Sequence, residues 1–271
     1  MELQSIAHDP GVDDAALTYF RQRCGGLLGL DLGSYKQEQI RRRLSGLMHT
    51  VGVANVVELA RVLADDEAKL ARFRHSFTIH VTEFFRDPAA FGQIESTGLP
   101  ALRALGRPVD VWSAACSLGA EPLSLAMLLR DARIPCRRLL ATDVCETTIA
   151  KALVGGPFDP REVKNLTESR LQQHLTRRPD GYWVTSPLHH QIEFRIHDLI
   201  ADPYESGFDL VVCRNVLIYF AEGTKEAVLA RLTASVRPGG FLFLGGTEIV
   251  RDPARLGLRL ARPSLYQRLP S

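Results

Sequence analysis

The chain has 271 residues, 45% of them hydrophobic and 24% charged, with a formal net charge of +2 at pH 7. This is the balance of an ordinary globular protein with enough apolar material for a core, in one large domain or two smaller ones. A charge so close to zero gives no general affinity for nucleic acid, so no nucleic-acid partner is expected and any basic surface must be local.

The five cysteines, Cys24, Cys116, Cys136, Cys145 and Cys213, are odd in number and form no C-x-x-C pair. That argues against a disulfide framework or a zinc site, and predicts a reducing, cytoplasmic setting and no bound metal. The opening MELQSIAHDPGVDD is polar and acidic, unlike a signal peptide. No apolar run approaches the ~20 residues of a spanning helix, so no direct membrane insertion is expected.

Residues 1–80 read as a helical domain. An amphipathic stretch runs from Asp14 to Cys24 and is expected to end at Gly25-Gly26. Ser34 with Gln37 has the form of a capping box, predicting a helix from about Tyr35 to His49. Asn55 with Glu58 repeats that form and opens ELARVL, and Asp65 or Asp66 starts another helix through KLARFRHSF.

Residues 81–271 read differently. Asp87-Pro88 is an N-cap followed by Pro at the first helical position. From Gly106 onward the chain alternates: VDVWSA (109–114), the helix LSLAMLLRDA, CRRLLATDV (136–144), the helix TTIAKALV, QIEFRIHDL (191–199), FDLVVCRNVLIYF (208–220), the helix TKEAVLARLTASV and FLFLGG (241–246). Apolar strands alternating with helices predict an α/β, doubly wound, Rossmann-like sheet domain. Residues 157–190 break the alternation with a helical piece, a turn at 178–181 and Tyr182–Thr185. That segment is expected to be a small inserted antiparallel β subdomain.

Four segments carry chemistry. The segment where the first sheet strand runs into its loop, Trp112–Pro122, is small-residue-rich but has Gly119 as its single glycine. Lacking G-x-G-x-x-G, it suits a ligand without a diphosphate better than a dinucleotide, although any tight strand-to-helix turn reads the same way. Asp143 ends the second strand, where an acid can accept hydrogen bonds from ribose hydroxyls; the competing role is a helix N-cap. Glu121, in the first turn of the preceding helix, either complements the helix dipole or contacts an ammonium group. Arg214, Asn215 and Tyr219 follow an apolar strand at the end where open α/β sheets bind ligands, and such a cluster is costly to bury without partners. Thr82-Glu83-Phe84-Phe85-Arg86-Asp87 lines a cleft or, as physics alone favours, packs beside the helix opening at Pro88.

Together these segments resemble the CheR family of chemotaxis receptor glutamate methyltransferases. The family's signatures look like Thr-x-Phe-Phe-Arg, Trp-Ser-Ala-x-x-Ser-x-Gly-x-Glu-Pro, Ala-Thr-Asp and Cys-Arg-Asn-Val-x-Ile-Tyr-Phe. All four occur in order at 82–86, 112–122, 141–143 and 213–220. The resemblance implies an N-terminal helical domain, a domain binding S-adenosylmethionine (SAM), and an inserted subdomain. It implies that Thr82, Arg86, Glu121, Asp143, Arg214 and Asn215 surround SAM. Where the family commonly has Asn, this chain has His80 and Asp198-Leu199; these are carried over as cofactor residues. Leu118 replaces the usual Thr and cannot hydrogen-bond.

The activity so implied is methyl-ester formation on glutamates in the cytoplasmic region of methyl-accepting chemotaxis receptors. Tyr219 and Arg86 are then the candidate catalytic residues, Tyr219 donating to the acceptor carboxylate. On the helix after Tyr35, Ile40, Leu44, Leu47 and Met48 form the apolar stripe, Arg41 and Arg43 flank it and Arg42 points away. Arg42 and Arg43 are the candidate contacts to an acidic substrate, against the alternative of an ordinary solvated face. The competing readings are a non-catalytic SAM-binding regulatory module and a SAM methyltransferase acting on another substrate.

Overall fold

Leu17, Phe20, Cys24 and Leu28 repeat at helical spacing and are all buried, so the first helix, α1 (Asp14–Leu28), follows that stripe. It does not end at Gly25-Gly26 as expected. Two helical glycines cost roughly 2 kcal/mol together, which burial of the Leu28 side chain, worth about 1.5–3 kcal/mol, offsets, and the helix stops at Gly29, whose φ is 64°. The computed structural model describes residues 12–77 and 82–270.

α2 (Gln37–Val51) also departs from expectation, since Ser34 does not cap it. The Ser34 hydroxyl donates to Asp31 (2.6 Å), while its carbonyl accepts from the Ala221 N–H (2.9 Å) and the Lys36 N–H donates to the Tyr219 carbonyl (2.9 Å). An antiparallel bridge between Tyr35 and Phe220 therefore holds the residues that a capping box would use. α3 (Val56–Asp65) is capped by Asn55, which accepts from the Glu58 N–H (3.0 Å), while Glu58 reaches back to the Ala54 N–H (3.0 Å). Before α4 (Glu67–Phe77), Asp66 accepts from the Lys69 N–H (3.0 Å). α1 packs on α3 and α4, with Phe20 against Phe73 at 5.7 Å between ring centroids.

These helices form one unit, Met1–Ile79, together with Tyr219–Thr224 from much later in the chain; the second unit is His80–Ile218 with Lys225–Ser271. Among the described residues no single helix is long and apolar enough to cross a membrane.

The second unit begins with Thr82–Asp87 and α5 (Pro88–Gln93), whose N-cap Asp87 accepts from the Ala90 N–H. A π-helical turn (Ile94–Gly98) leads into α6 (Leu99–Ala104). Then come β1 (Val109–Ala114), α7 (Ala120–Asp131), β2 (Cys136–Asp143) and α8 (Glu146–Val154). The insertion holds α9 (Glu168–His174), the hairpin β3 (Leu175–Arg178) and β4 (Gly181–Val184), and α10 (Ser186–His189). β5 (Ile192–Ile196), β6 (Phe208–Cys213), α11 (Glu222–Ser235), β7 (Val236–Leu244), β8 (Leu258–Arg262) and β9 (Leu265–Arg268) follow.

The main sheet runs β5-β2-β1-β6-β7-β9-β8. β5, β2, β1, β6 and β7 are parallel, and β9 is antiparallel to both β7 and β8. The sheet is thus Rossmann-like and mixed, with the expected small antiparallel sheet beside it. Every residue of β1 and β6 is buried, as a central parallel strand covered on both faces requires. The final hairpin β8–β9 lies beyond the last strand that the alternation predicts.

Candidate cofactor site

The chain winds from β1 through β2 to β5 on one side, then crosses to β6 and β7 on the other. The crevice where the winding reverses, at the carboxyl ends of β1 and β6, is the ligand position in such sheets. Register makes this edge level. Ala114 stands opposite Thr142 and Cys213, Asp143 opposite Ile196, and Cys213 opposite Leu244. The residues that leave each strand, 115–119, Asp143, 197–199, Arg214-Asn215 and Gly245, therefore meet along one line.

The loop after β1 is strained. Ala115, Ser117 and Gly119 have φ of 61°, 51° and 92°, and a non-glycine residue held there costs on the order of 1–3 kcal/mol. Asp143 holds it in place: one carboxylate oxygen accepts from the Ser117 N–H (2.9 Å) and the other from the Cys145 N–H (3.0 Å). Asp143 is therefore not the N-cap of α8, a place taken by Cys145. The Ser117 hydroxyl is buried without a hydrogen-bond partner among the described residues. Gly119 is needed for packing, since a Cβ there would stand 3.3 Å from the Phe194 ring.

Glu121 accepts from the Ser113 hydroxyl (2.8 Å) and stands 3.5 Å from the Arg214 guanidinium. Burial raises its carboxyl above the usual range, against the opposing pull of Arg214 and Ser113. Arg214 faces the rings of Phe91 (5.1 Å) and Phe243 (4.8 Å), which pack edge-on against each other, and donates to the Arg86 carbonyl (2.8 Å). Its Nε is buried without a partner among the described residues. One buried cation thus ties together three separate motifs. Phe84 and Phe85 are core residues, 0% and 3% exposed. Phe84 packs on Phe158 and Phe85 on Phe91, so these aromatics pack beside the helix at Pro88 and do not line a cleft. Thr82 and Arg86 beside them are half-buried. Burial also pushes the Cys116 and Cys213 thiols well above their usual range, which leaves both inert.

Asp198 forms a turn after β5, one oxygen accepting from the Ile200 N–H (2.7 Å) while its own N–H donates to Asp202 (2.8 Å). The buried Leu199 offers its carbonyl to Tyr204 (2.7 Å) and Arg231 (2.7 Å). His80 lies outside the described residues. In the helical unit, Arg43 stacks on the Tyr219 ring at 5.0 Å, and burial lowers its pKa. Arg42 is exposed and donates to Gln39 (2.8 Å), and Arg41 pairs with Asp14.

Sequence reasoning passed over Glu248. This residue is 2% exposed and its carboxylate accepts four backbone N–H groups, from Gly245, Asn215, Val216 and Leu217. The available signal was a lone acid two residues past the Gly245-Gly246 pair that follows a buried strand.

A Rossmann-like sheet with carboxylates at its switch point, an orphaned buried hydroxyl and no diphosphate-binding glycine pattern suits a nucleoside cofactor without a diphosphate. Residues 80–258 match the SAM-binding domain of CheR methyltransferases and residues 15–78 match their all-alpha domain. A chemotaxis protein methyltransferase of Listeria monocytogenes is 38% identical over 92% of this chain and 95% of its own. Chemotaxis protein methyltransferase 1 of Pseudomonas aeruginosa is 32% identical over 83% and 86%. An uncharacterized 104.1 kDa protein of Rhodobacter capsulatus is 35% identical over 87% of this chain but only 26% of its own. The chain belongs to the CheR methyltransferase family, and its cofactor is SAM.

Proposed function

We propose that this chain forms methyl esters on glutamate side chains of chemotaxis receptors in the cytoplasm. The observation that carries this reading is the level carboxyl edge of the sheet. There Asp143, Glu121 and the strained 115–119 loop stand together at the switch point, in a chain of this family.

When bound, SAM supplies an electrophilic methyl group on a sulfonium cation. The residues present fit it. Asp143 would accept from the ribose hydroxyls with the lone pairs its two N–H partners leave over. Glu121 would face the amino group, with Ser117, Asn215, Thr82, Arg86, Asp198 and Leu199 around the remainder. Arg214 would act mainly by holding Glu121 and the Arg86 carbonyl. His80 is retained as a cofactor residue on the family resemblance alone.

The acceptor glutamate, with a reference pKa of about 4.3, is already ionised at neutral pH and needs no general base. The enzyme's task is to strip water from it and aim it, and such positioning supplies ~7–11 kcal/mol of barrier reduction at best. Tyr219 is the proposed hydrogen-bond donor that orients the carboxylate. Arg86 would position it without a tight bidentate pair, which would blunt the nucleophile. The exposed Arg42 and the stacked Arg43 offer positive charge to an acidic receptor helix.

The test is calorimetric titration with SAM and S-adenosylhomocysteine, then tritium transfer from labelled SAM to a receptor cytoplasmic fragment. Base-labile protein label is the expected result, and Tyr219→Phe should abolish it while keeping cofactor affinity. Cofactor binding without label on any receptor fragment would count against the glutamate reading.

A further inference from the structure

The four N–H groups that Glu248 accepts come from two directions. Gly245 (2.8 Å) and Asn215 (2.8 Å) donate to Oε2, and Val216 (2.9 Å) and Leu217 (2.7 Å) donate to Oε1. Three of them are consecutive and begin at Asn215, a left-handed residue with φ of 61°. Successive N–H groups that converge in this way form a nest for an anion. Here the anion is the chain's own side chain, brought in from 33 residues away. A carboxylate alone satisfies the set, because an amide in its place would turn an NH₂ group against N–H donors. The neighbouring glycine obeys the same geometry. A Cβ on Gly245 would stand 2.5 Å from Glu248 Oε2 and 3.1 Å from the Asn215 nitrogen.

We propose that Glu248, seated against Gly245, is a positioning residue of the cofactor site. By filling the nest at 215–217 it fixes the turn that presents Asn215, and so sets the affinity for SAM. It does this on the reading, proposed above, that Asn215 belongs to the cofactor site. Without the carboxylate, four inward-facing N–H groups lose their acceptor and the turn must re-form to find others. Arg214 stays tied to Glu121 and the Arg86 carbonyl, so the change falls on Asn215 and the residues after it.

The test uses the full chain and titrates S-adenosylhomocysteine calorimetrically into the wild type, Glu248→Gln, Glu248→Ala and Gly245→Ala, with thermal melting in parallel. Glu248→Gln and Gly245→Ala perturb the same contact from opposite sides, and each should weaken binding about 10- to 100-fold, the scale of one buried N–H left without its acceptor. Formate added to Glu248→Ala should enter the vacated nest and recover affinity, whereas chloride at equal ionic strength should not. Either of two results would overturn the proposal: binding within twofold of wild type in Glu248→Gln, or recovery of melting temperature by formate with affinity unchanged. Failure of the wild type itself to bind would refute the cofactor reading first, and this one with it.

Discussion

Replacing Arg214 with methionine removes a buried cation from the centre of the site while keeping an apolar chain against Phe91 and Phe243. The side chains of Arg214 and Glu121 are 2% and 14% exposed and 3.5 Å apart. At an effective dielectric constant of about 20, that separation corresponds to about 5 kcal/mol of attraction. The charge-assisted hydrogen bond to the Arg86 carbonyl adds ~1.5–3 kcal/mol. Against these stand the desolvation cost that arginine no longer bears and the proton that Glu121, already raised by burial, takes up once its partner is gone. The net expected loss is about 3 kcal/mol. For a unit of this size that lowers the melting temperature by roughly 6–12 °C. Glu121→Gln relieves the uncompensated charge, so the double variant should lose ~1–2 kcal/mol less than the sum of the single losses. Urea denaturation of the four proteins of this cycle measures the coupling. A cost below about 1 kcal/mol for Arg214→Met, or strict additivity with Glu121→Gln, would refute the view that one buried ion pair joins these motifs.

Cofactor affinity should depend on pH through Glu121. Its carboxyl is raised by burial, so acidification protonates it and removes the charge proposed to face the amino group. On the proposed contact between Glu121 and the amino group, SAM should bind more weakly as pH falls, and Glu121→Gln should flatten that dependence in calorimetric titrations. At the amino ends of β1 and β6, Arg237 bonds both Asp110 (3.0 Å) and Asp209 (2.9 Å). The hydrogen bond from Arg137 holds Asp110 below the usual carboxylate range. Burial pushes Asp209 up, but Arg107, the Asp110 amide and Arg237 outweigh it and leave it lowered. Depressed carboxylates contribute stability that is present above about pH 4 and lost as pH falls through their folded values. Arg237→Met should therefore cost about 1–2 kcal/mol at neutral pH and move acid unfolding, followed by circular dichroism, to higher pH. Charge reversal at Arg42 and Arg43 should raise the KM for receptor fragment. Arg42→Glu alone should leave stability within about 0.5 kcal/mol, since Arg42 is exposed, and an unchanged KM in the double variant would remove the basic face from substrate recognition.

Much of this protein is written locally in its chain. The order of strands and helices in the second unit follows from apolar runs alternating with helical spacing. The strand-end positions of Asp143, Arg214 and Asn215 follow from where those runs break into polar residues. Periodicity and caps are properties of neighbouring residues, so Asn55 and Asp87 could be placed from the sequence alone, and the next cap narrowed to Asp65 or Asp66, of which Asp66 takes the role. Tertiary structure decided what depends on partners distant in the chain. Burial of Leu28 carries α1 through two glycines, and the Phe220 bridge takes Ser34 away from the capping role its spacing implies. Tyr219–Thr224 joins the helical unit although it follows a sheet strand in the chain. The Glu121–Arg214 pair and the four N–H groups gathered by Glu248 arise only when register levels the strand ends. Local spacing determines which element forms. Which buried charge meets which partner is determined by the low-dielectric interior, where an unpaired group is too costly to keep.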